Sequence, residues 1–206
     1  MNALFKPLLR QSFGSTGIYL LIIAISLAIS ATTALKFSND QIKQAVSLQA
    51  AKMQAADLVL TDNDPIDPSW KDAATQQDLK QTEVTVFSSM AHTDAEFVMV
   101  NVKAIQPNFP LRGELVIAPS ARSIQSGEVW LSQRALELLK LKLGDVLNIA
   151  DAQFKVTGVI QQDSNQEMGF AGFSPTVIIS QQDVAKTNAI QPGSRIDYRL
   201  LISGEP

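Results

Sequence analysis

The sequence GEVWLSQRALELLKLKLGDVLNIADAQFKVTGVI (Gly127–Ile160) carries the signals of a strand, a short helix and a β-hairpin in direct succession. Glu128–Leu131 is rich in residues that favour strands, and Ser132 is a typical helix N-cap. We expect Gly144 to end that helix in the left-handed conformation. The two strands of the hairpin and their turn are Asp145–Ile149, Phe154–Ile160 and Asp151-Ala152. Helices interspersed with hairpins in this way predict an α+β fold with mainly antiparallel pairing.

Further strands are predicted on both sides of this stretch. They cover Asp57–Thr61, Glu83–Ala91, Glu96–Ile105, Glu114–Ala118, Thr176–Ser180 and Ile196–Ile202. Asp67 is expected to cap a helix that begins at Pro68 and runs to about Lys80, and Gln181–Thr187 is expected to form a helical turn. We therefore predict a mixed, mainly antiparallel sheet domain. The polar segment 119–127 is the candidate boundary between two subdomains.

A long uncharged segment lies near the N-terminus. Its dense part, Gly17–Leu35, would extend ~28 Å as a helix, close to the ~30 Å hydrocarbon thickness of a bilayer. We therefore predict a transmembrane helix that includes Gly17, Ile18, Leu21, Ile25, Ile29 and Leu35. A cleaved signal peptide is the alternative, because Lys6 and Arg10 form a basic region before the apolar run. In either case the positive-inside rule predicts a cytoplasmic N-terminus and an exported chain after about residue 37.

The predicted domain organisation follows from this segment. Residues 1–37 are the cytoplasmic N-terminus and transmembrane helix, and residues 38–206 are an extracytoplasmic α+β domain. Ser38-Asn39-Asp40-Gln41 fits a capping box, so we expect the second part to open with a helix over Ser38–Ala55.

Composition and missing motifs exclude several function classes. The 206 residues carry a net charge of −3 without a basic cluster, so no nucleic acid is expected as a partner. There is no cysteine, which excludes thiol catalysis and cysteine metal sites. The sequence contains neither a G-x-x-x-x-G-K-[ST] phosphate loop nor a G-x-S-x-G nucleophile elbow. We therefore predict no catalytic residue, no metal site and no cofactor, and expect that the chain is not an enzyme.

Two groups of polar residues could form functional sites or serve simpler structural roles. His92, the single histidine, lies two residues from Asp94. An exposed hairpin tip explains this pair better than acid–base catalysis. Asp62, Asp64 and Asp67 form an acidic loop whose spacing does not match an EF-hand. We expect these three carboxylates to be turn and cap residues.

The loop Gln161–Pro175 is the candidate contact site. Met168, Phe170 and Phe173 give it more apolar surface than a solvated loop needs. Either these side chains fold back and complete the core, or they contact the membrane face, a partner or a hydrophobic substrate.

Short motifs occur in a characteristic order along the chain. They are AADLVL (Ala55–Leu60), FPLRGEL (Phe109–Leu115), L-x-L-G-D (Leu141–Asp145), V-x-G-V-I (Val156–Ile160) and PGSRIDYRLLISG (Pro192–Gly204). Together they resemble the N-terminal span and first extracytoplasmic domain of ABC-transporter permeases of the FtsX/MacB/LolC type. The first, second and last motifs are most similar to the YbbP-like branch of that group.

The resemblance implies a permease in a bacterial inner membrane, with a periplasmic domain of the MacB type after residue 37. It implies a separate cytoplasmic ABC ATPase as partner, which accounts for the missing phosphate loop, and further spans beyond Pro206. A lipid-like substrate or a periplasmic partner protein is expected by analogy, through either export or transmission of motion. A stand-alone membrane-anchored or secreted periplasmic binding protein is the alternative.

Overall fold

The computed structural model describes residues 19–37, 55–119, 122–163, 174–191 and 193–204. The chain divides into two compact units, Met1–Leu48 and Gln49–Pro206. The first contains helix α1 (Tyr19–Phe37), whose mean hydropathy of 2.0 and length would allow it to cross a membrane. Such a helix fits a retained span and a signal sequence equally well.

The predicted membrane residues fall on α1 where they are described. Leu21, Ile25, Ile29 and Leu35 lie on this helix and are exposed, as the lipid-facing surface of a span requires. Gly17 and Ile18 lie outside the described residues.

The second unit is built mostly from strands. Its elements are β1 (Leu58–Asp62), α2 (Pro68–Gln76), β2 (Lys80–His92), β3 (Phe97–Ile105), β4 (Leu115–Ala118), β5 (Glu128–Ser132), α3 (Gln133–Leu138), β6 (Val146–Ile149), β7 (Ala152–Asp163), β8 (Thr176–Ser180), a 3₁₀ turn (Gln181–Asp183), α4 (Val184–Thr187) and β9 (Ile196–Ser203). The predicted hairpins β2–β3 and β6–β7 are both present.

Six of these strands pair in a closed ring. Along the sheet, β2 is followed by β3, β8, β5 and β7, and β6 then pairs with both β7 and β2. The ring is a small barrel, and β9, β1 and β4 extend the sheet beyond it. Every described pairing is antiparallel except those of β3 with β8 and β5 with β7. The predicted mixed, mainly antiparallel α+β fold is confirmed.

The main core fills this barrel. Strand residues alternate between the two faces of a sheet, and one face of all six ring strands contributes buried side chains. Among them are Phe87, Val102, Leu131, Leu147, Phe154 and Val177. The opposite face supports a second cluster, in which Trp130 and Ile178 pack with Phe109 and Ile117.

Two predicted helix ends are wrong. The α2 helix ends at Gln76 rather than near Lys80, because Asp78 takes a φ of 55° and Lys80 already begins β2. The α3 helix ends at Leu138, and Lys140, with a φ of 53°, is the left-handed residue that follows it. Gly144 is left-handed too, with a φ of 94°, but it forms the turn before β6. Its N–H donates to the Val156 carbonyl at 2.7 Å.

The hairpin turn lies one residue earlier than predicted. Ile149 pairs with Ala152, so the turn residues are Ala150 and Asp151, and Ala150 adopts a φ of 47°. The β7 strand also continues to Asp163, into the predicted loop.

Two predictions about organisation stay open. The helix expected over Ser38–Ala55 lies outside the described residues apart from its last residue. The subdomain boundary at 119–127 stays a prediction, although β4 before it and β7 after it pair in one sheet.

Candidate functional site

The three motifs that most resemble YbbP-like permeases meet at one place in the fold. The Ala55 carbonyl accepts hydrogen bonds from the backbone N–H groups of Leu111 at 3.0 Å and Arg112 at 2.9 Å. Two residues later, the Asp57 N–H donates to the Ile202 carbonyl at 3.1 Å. Segments far apart in the sequence therefore meet where the first strand of the domain, β1, pairs with the last strand, β9.

Side chains complete this junction. Asp57 Oδ1 accepts from Arg112 Nε at 3.0 Å, and Oδ2 accepts from Arg112 Nη2 at 2.9 Å. The Ser203 hydroxyl and the Gly204 N–H also donate to Oδ2, at 3.0 and 3.2 Å. Arg112 Nη2 donates in addition to the Gly204 carbonyl at 2.9 Å. We call Asp57, Arg112, Ser203 and Gly204 the clamp, because they fasten the beginning of the sheet domain to its end.

The charges of the clamp are matched. The hydrogen bonds from Arg112 are the largest influence on the pKa of Asp57 and, with those from Ser203 and Gly204, hold it below its ordinary value against the opposing effect of burial. The same pair raises the pKa of Arg112. A carboxylate engaged in this way is a poor nucleophile or base, so the clamp is suited to holding backbone segments together.

A second feature is an exposed apolar surface on the β2–β3 hairpin. Met90, Phe97 and Met99 are 42%, 68% and 62% exposed. Met90 lies opposite Met99, and His92 lies opposite Phe97, so all four side chains share one face. The His92 and Phe97 rings stack with centroids 5.3 Å apart and planes 8° apart. We call these four residues the hairpin patch; it offers flexible thioethers and an aromatic platform to an apolar partner.

The structure also locates the other predicted site residues. His92 is the last residue of β2 and lies at the tip of the β2–β3 hairpin as predicted, but it is half-buried rather than exposed, because its ring stacks on Phe97. Asp62 Oδ1 accepts from the Asp64 N–H at 3.2 Å, and Asp67 caps α2 by accepting from the Ser69 N–H at 2.8 Å. The turn and cap roles of Asp62 and Asp67 are confirmed. In the part of the chain that is described, no cluster of acidic and histidine side chains is arranged to hold a metal ion.

The predicted contact residues Met168, Phe170 and Phe173 lie outside the described residues. The clamp and the hairpin patch were not predicted, although the sequence of each contains an unusual feature. Asp57 and Arg112 are charged residues within otherwise largely apolar motifs. In Phe97–Val100 both faces of the strand are apolar, whereas a surface strand normally alternates.

Comparison with known proteins assigns this fold. The family profile of the MacB-like periplasmic core domain matches residues 19–202. The uncharacterized ABC transporter permease YbbP of Escherichia coli (strain K12) is 29% identical over 194 residues, which cover 94% of this chain and 24% of that protein. The chain thus spans about a quarter of the length of this relative.

Solved structures with lower sequence identity also match. The extracellular domain of the noncanonic ABC-type transporter YknZ from Gram-positive bacteria is 12% identical, with a TM-score of 0.50 over 72% of this chain and 84% of that one. The periplasmic region of MacB from Actinobacillus actinomycetemcomitans is 14% identical, with a TM-score of 0.49 over 77% of this chain and 81% of that one. The resemblance predicted from the sequence motifs is confirmed, and the chain belongs to the family of MacB-like periplasmic core domains.

Proposed function

We propose that the chain is the first extracytoplasmic domain of an ABC-transporter permease in a bacterial inner membrane, and that a separate cytoplasmic ATPase drives it. The family assignment and the similarity to the YbbP permease support this proposal. The N-terminus lies in the cytoplasm, α1 is retained as a membrane span, and the sheet domain faces the periplasm. The domain works without catalysis of its own.

The clamp is the observation that carries the mechanical part of this proposal. Asp57 lies at the start of the described sheet domain and Gly204 at its end, and the Gly204 N–H donates to Asp57 at 3.2 Å. A force applied to either end of the sheet domain therefore acts on both ends together, because the clamp joins them. A closed barrel with a packed core moves as a rigid body, so the domain passes on motion rather than absorbing it.

The hairpin patch supports a hydrophobic or lipid-like substrate, or a periplasmic partner with an apolar surface. Phe97 and Met99 are both more than half exposed on a well-formed strand. Solvated strands usually carry polar side chains on their outer face, so apolar residues here favour a binding surface.

Two measurements test the proposal. Tagged permease should be purified from its native membranes in mild detergent, and a P-loop ATPase should co-purify in a fixed ratio. Hydrogen exchange of this complex should then be compared with and without trapping by ATP and vanadate. We expect trapping to change exchange in residues 55–62 and 196–204, and Arg112→Ala to remove this change. Purification without an ATPase would contradict the proposal and favour an anchored binding protein.

A further inference from the structure

A cavity of about 150 Å³ opens on the outer face of the barrel, between the Phe109–Leu115 motif and β5. Its floor is formed by the buried side chains of Phe109, Ile117, Ile124 and Trp130. Pro107, Arg122 and Ser123 are exposed at its mouth. We propose that this cavity binds the apolar end of a neutral amphiphile, a group about the size of a benzene ring that carries a hydrogen-bond acceptor such as an ester or ketone carbonyl.

The size of the cavity decides what can enter it. Protein interiors leave few voids larger than a water molecule, and a cavity of about 150 Å³ lined by Leu, Ile and Phe side chains can hold benzene. Ligand sites for whole drug-sized molecules are larger, at ~300–1,000 Å³. This cavity therefore accommodates one end of a larger molecule, whose remainder stays outside the mouth.

Contacts with Lys103 and Gly158 fix the positions of the floor residues. Lys103 Nζ lies 4.7 Å from the centroid of the Phe109 ring, and the same ammonium group forms a buried ion pair with Asp163 at 2.8 Å. Gly158 lies beneath Trp130, and a Cβ atom built there would lie 2.8 Å from Trp130 Cδ1 and closer still to Ile117 Cγ2. Because Gly158 of the V-x-G-V-I motif has no side chain, the floor residues Ile117 and Trp130 can pack closely against its backbone.

Gln106 supplies the polar contact. Its Oε1 accepts from the backbone N–H of Glu83 at 3.1 Å, and because a backbone N–H can only donate, this bond fixes the orientation of the amide. Gln106 Nε2 is then the donor end, and it forms no hydrogen bond with a described residue. Gln106 also lines the cavity, and donation from this N–H₂ group to an acceptor on the ligand is part of the proposal.

The charged side chain at the described mouth already has a partner. Arg122 Nη2 forms an ion pair with Glu128 Oε1 at 2.5 Å, so the guanidinium is already neutralised. An anionic headgroup would have to compete with the Glu128 carboxylate, whereas a neutral polar group would not. This inference rests on the proposed function in one respect: the ligand is taken to be part of the hydrophobic substrate proposed above.

Trp130 reports binding directly. The chain has two tryptophans, so Trp70→Phe leaves Trp130 as the single tryptophan, which is excited selectively at wavelengths where tyrosine does not absorb. The full chain in lipid nanodiscs should be titrated with bromobenzene, a heavy-atom quencher. We expect saturable quenching of Trp130, and an affinity at least tenfold lower in Ser123→Phe, which narrows the mouth at an exposed position. In the matched variant Trp130→Phe, the 56% exposed Trp70 should be quenched linearly. Linear quenching of Trp130 as well would overturn the proposal.

Competition tests the role of Gln106. Acetophenone and isopropenylbenzene have closely similar planar shapes, but only acetophenone carries a hydrogen-bond acceptor. Acetophenone should displace bromobenzene about five- to tenfold more effectively, the equivalent of one hydrogen bond. Gln106→Glu keeps the acceptor for Glu83 and removes the donor, so the ratio should fall to about 1. Equal displacement in the unmodified chain would overturn the acceptor requirement. Neither readout needs an ATPase, so failure here and failure of the proposed function are separable.

Discussion

Asp57 and Arg112 lie 55 residues apart in the sequence and are joined by two hydrogen bonds of 3.0 and 2.9 Å, one from Nε and one from Nη2. This bidentate contact fixes the orientation of both side chains, whereas a single hydrogen bond would not. It holds the segment before β1 against the segment before β4, and through Gly204 it also holds the end of β9.

The first prediction concerns this geometry. Arg112→Lys keeps the charge but loses the planar fork, so it should lower the Tm of the chain by about 2–4 °C. The matched control is Arg122→Lys, because Arg122 pairs with Glu128, which lies six residues away in the sequence. Thermal unfolding at low and high salt measures the effect, which salt should weaken because the pair is partly exposed. Equal losses in both variants would argue against a special role for the clamp.

The second prediction concerns acid. Burial raises the pKa of the Asp183 carboxyl, but hydrogen bonds from Lys186, Ser126 and the Gly127 N–H outweigh burial and hold that pKa below its ordinary value of 3.8. A carboxyl with a lowered pKa in the folded state stabilises the fold above its unfolded pKa, and this contribution is lost as the pH falls through the folded pKa. We therefore expect stability to decrease as the pH falls below about 4.

Asp183→Asn tests this effect. At pH 7 it should cost ~1–3 kcal/mol in urea unfolding, because buried donors lose a charged acceptor, and the loss of stability in acid should become shallower. Asp151→Asn is the control, since Asp151 is exposed and accepts one side-chain hydrogen bond, from Asn188 at 2.9 Å. An unchanged acid profile in Asp183→Asn would show that other groups govern it.

The third prediction concerns Gly158. Alanine there would place a Cβ against Ile117 and Trp130, so we expect a loss of ~1–3 kcal/mol from overpacking and a shifted Trp130 emission. Gly127→Ala is the matched contrast. Nothing lies within 4 Å of its added Cβ, but its φ of 82° strains any side chain. It should therefore destabilise the fold without moving the emission of Trp130. Urea unfolding with fluorescence in the Trp70→Phe background measures both quantities.

Local signals made most of the fold predictable. Ser132 and Asp67 were recognisable as caps because the side chain and the N–H it accepts from are neighbours in sequence. The two helix ends were missed because Asp78 and Lys140 take positive φ values that glycine and asparagine adopt more readily. Local hydrogen bonds close both helix ends: the N–H of Leu79 donates to the Ala74 carbonyl and that of Leu141 to the Leu136 carbonyl, each at 3.0 Å.

The clamp and the barrel could not be predicted because they depend on distant pairs. Asp57 meets Gly204 across 147 residues, and nothing in the sequence of either segment specifies the other. The barrel closes through two residue pairs, Ala91 with Ile149 and His92 with Asn148. Alternation along each strand predicted which residues are buried, but not which strand lies beside which.

The fourth prediction concerns the hairpin patch. Phe97→Ser and Met99→Ser should each change stability by less than ~0.5 kcal/mol, because both side chains are exposed. Leu131→Ala, at a fully buried position, should instead cost ~2–5 kcal/mol. A photoreactive amino acid in place of Met99 should crosslink in native membranes to an apolar substrate or partner, whereas the same group at the exposed Asp64 should not. Crosslinking that is equal at both positions would remove the patch as a binding surface.

The last prediction concerns topology. The basic residues Lys6 and Arg10 precede the apolar helix, so the sheet domain should lie outside the cytoplasm. The chain has no cysteine, and Asp151→Cys therefore introduces a single thiol at an exposed turn of the barrel. A membrane-impermeant maleimide should label it in intact spheroplasts as completely as after lysis. Asn2→Cys, on the other side of the helix, should be labelled only after lysis. Labelling of Asp151→Cys only after lysis would reverse the topology, and a mature chain that begins near Ala31 or Leu35 would identify the helix as a cleaved signal peptide.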